Sequence, residues 1–157
     1  MQKLFPVVAA ALSAGAFLAA VPAAAHHSFA MFDLTKHMVI EGHVTDWHYN
    51  NPHSWLHIEA VDENGDTQRW SFEGAAPVHA ARQGVNGNTF RKGERVRVVM
   101  SPLRDGRPAG AMCFVVKEDG SRARPNDGVC NAQAVIDEWE ANGWMTSAHL
   151  EVHPAAD

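Results

Sequence analysis

Two alternating segments that meet across an Asn-Gly turn constrain this chain most. In Ser54 to Val61, Leu56, Ile58 and Ala60 form an apolar side opposite His53, Trp55, His57 and Glu59. A period of two is the repeat of a half-buried strand. The tract Asp62-Glu63-Asn64-Gly65-Asp66 then supplies a tight turn, and Thr67 to Glu73 returns with Trp70 and Phe72 facing the same way. Upstream, Val39 to His48 has strand character as well. Strict alternation puts Val39, Glu41, His43, Thr45 and Trp47 on one side and Ile40, Gly42, Val44, Asp46 and His48 on the other. Asn50-Asn51-Pro52 breaks that strand, so a three-stranded meander follows.

Beyond the meander, Pro77 opens a short helix that Gly84 closes, with Val78, Ala81 and Arg82 at helical spacing. Strands resume at Arg95 to Met100 and, after the turn at Arg104-Asp105-Gly106-Arg107, at Ala109 to Lys117. The fold class expected is mainly β. The order of three strands, one helix and two strands matches a small five-stranded OB-like Greek-key barrel, with its short helix between strands 3 and 4. After Gly120 the chain turns polar. Asn131 caps a second helix running to about Asn142, with Val135 and Trp139 one turn apart and Gly143 as its stop, and Trp144 and Leu150 belong to an irregular tail.

The front of the chain reads as an export signal. Lys3 gives the positive start, Leu4 to Val21 is apolar and rich in alanine, and Pro22 precedes an Ala-x-Ala site at Ala23-Ala24-Ala25. Ser28-Phe29-Ala30 is a poorer second site. The expected organisation is therefore a signal peptide over 1–25, a barrel domain over 26–120 and a helical extension over 121–157, with the product periplasmic or secreted and no stable membrane span after cleavage. Removing 25 of 157 residues leaves 132, enough for one domain with a modest core.

Loss of Lys3 takes the formal charge from −5 to −6. Nucleic acid and anionic lipid are poor partners for such a chain, because phosphate binding needs clustered cations. Arg91, Lys92, Arg95 and Arg97 come nearest to a cluster, but apolar residues separate the strand pair, which reads as a solvated face. Cys113 and Cys130 are expected to pair as a disulfide in an oxidising compartment, stabilising the fold by about 3 kcal/mol. A thiolate metal site is the alternative reading, though Cys-x-x-Cys is absent.

Several of these stretches occur together in a known family. His26-His27-Ser28-Phe29, Gly42-His43-Val44 running into Asn51-Pro52-His53-Ser54-Trp55, Trp70-Ser71-Phe72-Glu73 and Phe90-Arg91-Lys92-Gly93 together resemble a bacterial exported family classed as a domain of unknown function. The resemblance covers roughly Ala25 to Gly120. It implies a small periplasmic barrel domain and names no activity or substrate.

Cleavage after Ala25 would make His26 the first residue, and an amino-terminal histidine offers its amine and its ring to one ion. His53 is the expected third nitrogen, with His27, His48 or His79 as substitutes, and such open nitrogen coordination suits Cu(II). His53 and His57 cannot share an ion along a straight strand, which would separate them by about 13 Å. The plainer reading leaves His26 and His27 as loose terminal residues and gives His53 a loop hydrogen bond.

Trp47, Trp55 and Trp70 form the second constellation, either a stacking platform for a small ligand or protein partner, or core filling. Asp46, Glu59 and Glu73 are isolated carboxylates that no spacing brings together. No catalytic motif stands out, and a histidine-brace copper oxidoreductase is the one enzyme worth naming. The expectation is a periplasmic binding or accessory domain. It either captures copper at its mature amino terminus or acts without metal through an aromatic barrel face.

Overall fold

A computed structural model describes residues 29–62, 64–146 and 151–154. Its strands are β1 (Lys36–His48), β2 (Trp55–Val61), β3 (Thr67–Glu73), β4 (Arg95–Pro102), β5 (Ala109–Lys117), β6 (Arg122–Ala123) and β7 (Glu151–Pro154). Two short helices, α1 (Pro77–Arg82) and α2 (Ala132–Ala141), accompany them. All seven strands belong to one sheet. β1 pairs antiparallel with β2 and with β4, β2 with β3, and β4 with β5, while β3 and β5 run parallel through Ser71–Ala109, Phe72–Gly110 and Glu73–Ala111. Among the described residues no helix is long and apolar enough to cross a membrane.

The meander forms as its alternation predicts, with Leu56 opposite Phe72 and Ile58 opposite Trp70 in register. Those four side chains join Ile40, Val44, Val96, Val98, Met100, Met112 and Val115 in the main core. One departure matters. The β1–β2 register slips between Val44 and Asp46, so Val44 faces Ile58 and Trp47 faces Leu56. Strict alternation puts Trp47 on the side of Val39; the bulge inserts a residue and turns it to the core side. Trp47 packs edge-on against Phe90 at 4.9 Å and donates its indole N–H to the Asn86 carbonyl at 3.0 Å. Tyr49 follows it inward and donates to the Pro77 carbonyl at 2.7 Å. Together they close the core beside α1.

A second core lies on the opposite side of the sheet. Val39, Val99, Cys113 and Phe114 pack there under Ala132, Val135, Ile136 and Trp139 of α2. β4 and β5 are therefore buried on both sides and read as nearly continuous apolar runs. Asn131 caps α2 by accepting from the Ala134 N–H at 3.3 Å, and Gly143 leaves it at φ 72°. The disulfide between Cys113 and Cys130 ties β5 to the start of this helix. The tail is less irregular than its sequence suggests. β7 pairs with Lys36–Val39, the part of β1 that lies beyond β2, and so covers backbone that would otherwise be an open edge.

Glu41 receives Arg97 Nε at 2.7 Å across the β1–β4 pair and also binds Arg95. The two strand arginines are thus engaged by a carboxylate. His37 sits beneath the second core at 3% exposure, and burial pushes its imidazole pKa from the ordinary 6.5 down to about 4. A lowered pKa means the unfolded chain binds the extra proton between these two values. The contribution of neutral His37 is complete above pH 6.5 and is lost as the pH falls toward 4. Urea midpoints followed from about pH 7 to about pH 5 are expected to fall more steeply for the wild type than for His37→Phe, which has no proton to take up. Equal slopes would remove His37 from the acid response.

Candidate functional site

Asn51 to Ser54 joins β1 to β2, and the Asn51–Pro52 peptide is cis. Backbone hydrogen bonds stitch this turn to the end of β3. Ser54 N–H donates to the Ala75 carbonyl at 3.1 Å, Gly74 N–H to the Ser54 carbonyl at 2.9 Å and Ala75 N–H to the Pro125 carbonyl at 2.7 Å. Ser54 is buried, and its hydroxyl also donates to the Ala75 carbonyl, at 2.8 Å. Three segments distant in sequence thereby meet at one point. Gly74 permits it: a Cβ there would lie 2.7 Å from the Pro125 carbonyl oxygen, 2.8 Å from Ser54 Oγ and 2.5 Å from Met112 Cε. Gly74→Ala is expected to lower stability by about 1–3 kcal/mol in urea unfolding. A loss below about 0.5 kcal/mol would mean that the junction is looser than these contacts require.

The stitching aims His53 at two acids. His53 Nδ1 lies 3.2 Å from the Gly74 carbonyl, 3.1 Å from Glu73 Oε1 and 3.6 Å from Asp127 Oδ2. A carbonyl oxygen only accepts, so Nδ1 is the donor in that contact. A carboxylate and a carbonyl at the protonated nitrogen is the arrangement that orients histidines whose other nitrogen binds metal. His79 on α1 reaches the same acid, with Nδ1 at 3.6 Å from Asp127 Oδ1. Beside them an open groove of about 970 Å³ runs along Arg82, Gln83, Arg124 and Asn126.

The chain enters the sheet close by. Phe29 packs against a small cluster of Phe32, Leu103 and Ala111, which Ala109 and Val129 also border. Ala111 is the register partner of Glu73, and Val129 lies two residues after Asp127. The described amino-terminal segment therefore packs against β5, the strand paired with the one that carries Glu73.

His26 and His27 lie outside the described residues. Of the three tryptophans, Trp47 is inside the closed end of the core and Trp70 is 6% exposed and stacked on Phe72, so the three do not share one outer face. Trp55 alone faces outward, stacked on His57, while His48 meets the His57 ring edge-on at 5.2 Å. His57 Nδ1 lies 2.8 Å from Ser71 Oγ. Burial, helped by the nearby charges of Arg69 and His48, holds the His57 pKa below its ordinary value. The convergence of Glu73 and Asp127 on His53 was not expected from spacing, since 54 residues separate the two acids. Only the proximity of Glu73 to a glycine that tolerates close packing hints at it.

These elements define a mainly β domain with a histidine held by two acids at one end of its sheet. A protein-family model described as a family of unknown function, DUF6152, matches residues 15–112, and the chain belongs to that family. No curated protein and no solved structure matches it.

Proposed function

We propose that this is an exported metal-binding accessory domain, built on an OB-like barrel, that captures Cu(II) with the mature amino terminus and His53. The barrel reading rests on strand pairings that pass from β1 through β2, β3, β5 and β4 back to β1, with α1 between β3 and β4. The observation that carries the metal reading is His53 Nδ1 facing Glu73, Asp127 and the Gly74 carbonyl, an arrangement that fixes the ring as a metal-binding histidine is fixed.

His53 and His79 supply imidazoles around Asp127 without forming a compact three-donor cage, so an ion there needs nitrogen from elsewhere. The amine and ring of His26 provide it. Phe29 is already docked beside the Glu73 strand, and three residues of chain span about 10 Å. His27 is the alternative ring on the same segment. The domain binds and presents the ion; it carries out no chemistry on a substrate.

Calorimetric titration of Cu(II) into protein beginning at His26 tests this reading. One tight equivalent is expected, weakened about 10- to 100-fold by Glu73→Gln through loss of the orienting carboxylate. His53→Ala and one extra alanine before His26 are expected to abolish it. Equal affinity in all four proteins would overturn the reading.

The outward cluster of His48, Trp55 and His57 favours a second reading, a metal-independent face for a periplasmic protein or small ligand. In that case Trp55→Ala weakens recovery of the partner and His26 substitutions leave it unchanged.

A further inference from the structure

The side chains of His37, Cys113 and Cys130 place their ligand atoms all within 4.8 Å of one another. His37 and Cys113 are buried, and Cys130 is partly exposed at the start of α2. His37 Nδ1 has no hydrogen-bond partner, although the residue is 3% exposed. A buried polar nitrogen left unpaired is costly, and a phenylalanine or leucine would fill the same space without that cost. Ser101 on β4 is likewise fully buried with an unpartnered hydroxyl.

We propose that opening the Cys113–Cys130 disulfide creates a buried metal site for Zn(II), formed by the two thiolates and His37. While the disulfide is closed, its sulfurs are weak donors and His37 Nδ1 stays unpaired. A dithiol reductant opens it by exchange: one of its thiolates attacks a sulfur of the bond, the mixed disulfide is resolved by the second thiol, and the reductant leaves as its own disulfide. Two electrons and two protons pass to Cys113 and Cys130. Zn(II) then displaces both thiol protons and takes two sulfurs and one nitrogen, leaving its fourth position for water. Partly exposed Cys130 gives the reductant and the ion their way in. The site needs neither His26 nor His53 and stands apart from the Cu(II) reading.

Co(II) added without oxygen to the full mature chain, with and without prior phosphine reduction, tests the site. Reduced wild type is expected to bind one Co(II) with an intense thiolate-to-cobalt absorption band, which amine and imidazole ligands at the amino terminus cannot produce. Zn(II) should displace it. His37→Phe, which fills the same pocket, should weaken binding roughly tenfold or more, and Cys130→Ser should remove the band. Oxidised protein should show none. The proposal is overturned if reduced wild type lacks the band, if His37→Phe binds as tightly, or if reduction unfolds the chain and Co(II) fails to restore its near-ultraviolet circular dichroism.

Discussion

Trp139→Ala is expected to lower the unfolding free energy by about 3–5 kcal/mol. Trp139 is fully buried, meets Phe114 edge-on at 6.3 Å and Trp144 at 5.8 Å, and is the widest side chain that α2 sets into the second core. Alanine leaves a cavity that β4 and β5 cannot fill, because their other side is packed against the main core. Trp144 is only half buried, so Trp144→Ala serves as the comparison and should lose clearly less. Urea unfolding of both variants checks this. A loss under about 1 kcal/mol for Trp139→Ala would mean that α2 contributes little to the folded domain.

The second large effect is expected from removing the disulfide. Cys113 and Cys130 are 17 residues apart, and a closed loop of that size stabilises by about 3 kcal/mol through the entropy it takes from the unfolded chain. Cys113→Ser with Cys130→Ser should lower the urea midpoint accordingly. Chemical reduction of the wild type in the absence of metal should give a similar loss. An unchanged midpoint after reduction would show that α2 stays docked without its covalent tie. Zn(II) added to the reduced wild type should recover part of the loss, since an ion that binds only the folded chain stabilises it.

Local pattern made much of the fold legible. Leu56, Ile58, Trp70 and Phe72 announced the β2–β3 hairpin because a period of two leaves few other ways to bury them. Pro77 and Asn131 marked where α1 and α2 begin, each through backbone chemistry at a helix start. Two features escaped for physical reasons. The bulge after Val44 adds a residue to β1 without a glycine or proline to mark it, and it alone decides that Trp47 lies inside. β7 has no apolar alternation of its own, and it forms where Lys36–Val39 leave an edge to pair with.

The candidate site was legible only in part. His53 was singled out from its place in the Asn-Pro-His turn. Its partners were hidden because Glu73 arrives through strand register and Asp127 from beyond β6. His37 drew no attention at all. A histidine beside Lys36 at a strand start looks solvated in sequence, yet the fold leaves it only 3% exposed beside the disulfide. Long-range placement of this kind leaves no mark on neighbouring residues.

Electron paramagnetic resonance of one equivalent of Cu(II), bound to the chain beginning at His26, tests the central assignment most directly. Isotopic labelling of histidine nitrogen should change the coupling pattern through His26 and His53 together. His53→Ala should remove the ring contribution of that residue, and an added alanine before His26 should convert the spectrum to that of weakly held ion. A signal unaltered by either change, or one no different from Cu(II) on an unrelated histidine-containing protein, would contradict capture at this end of the sheet.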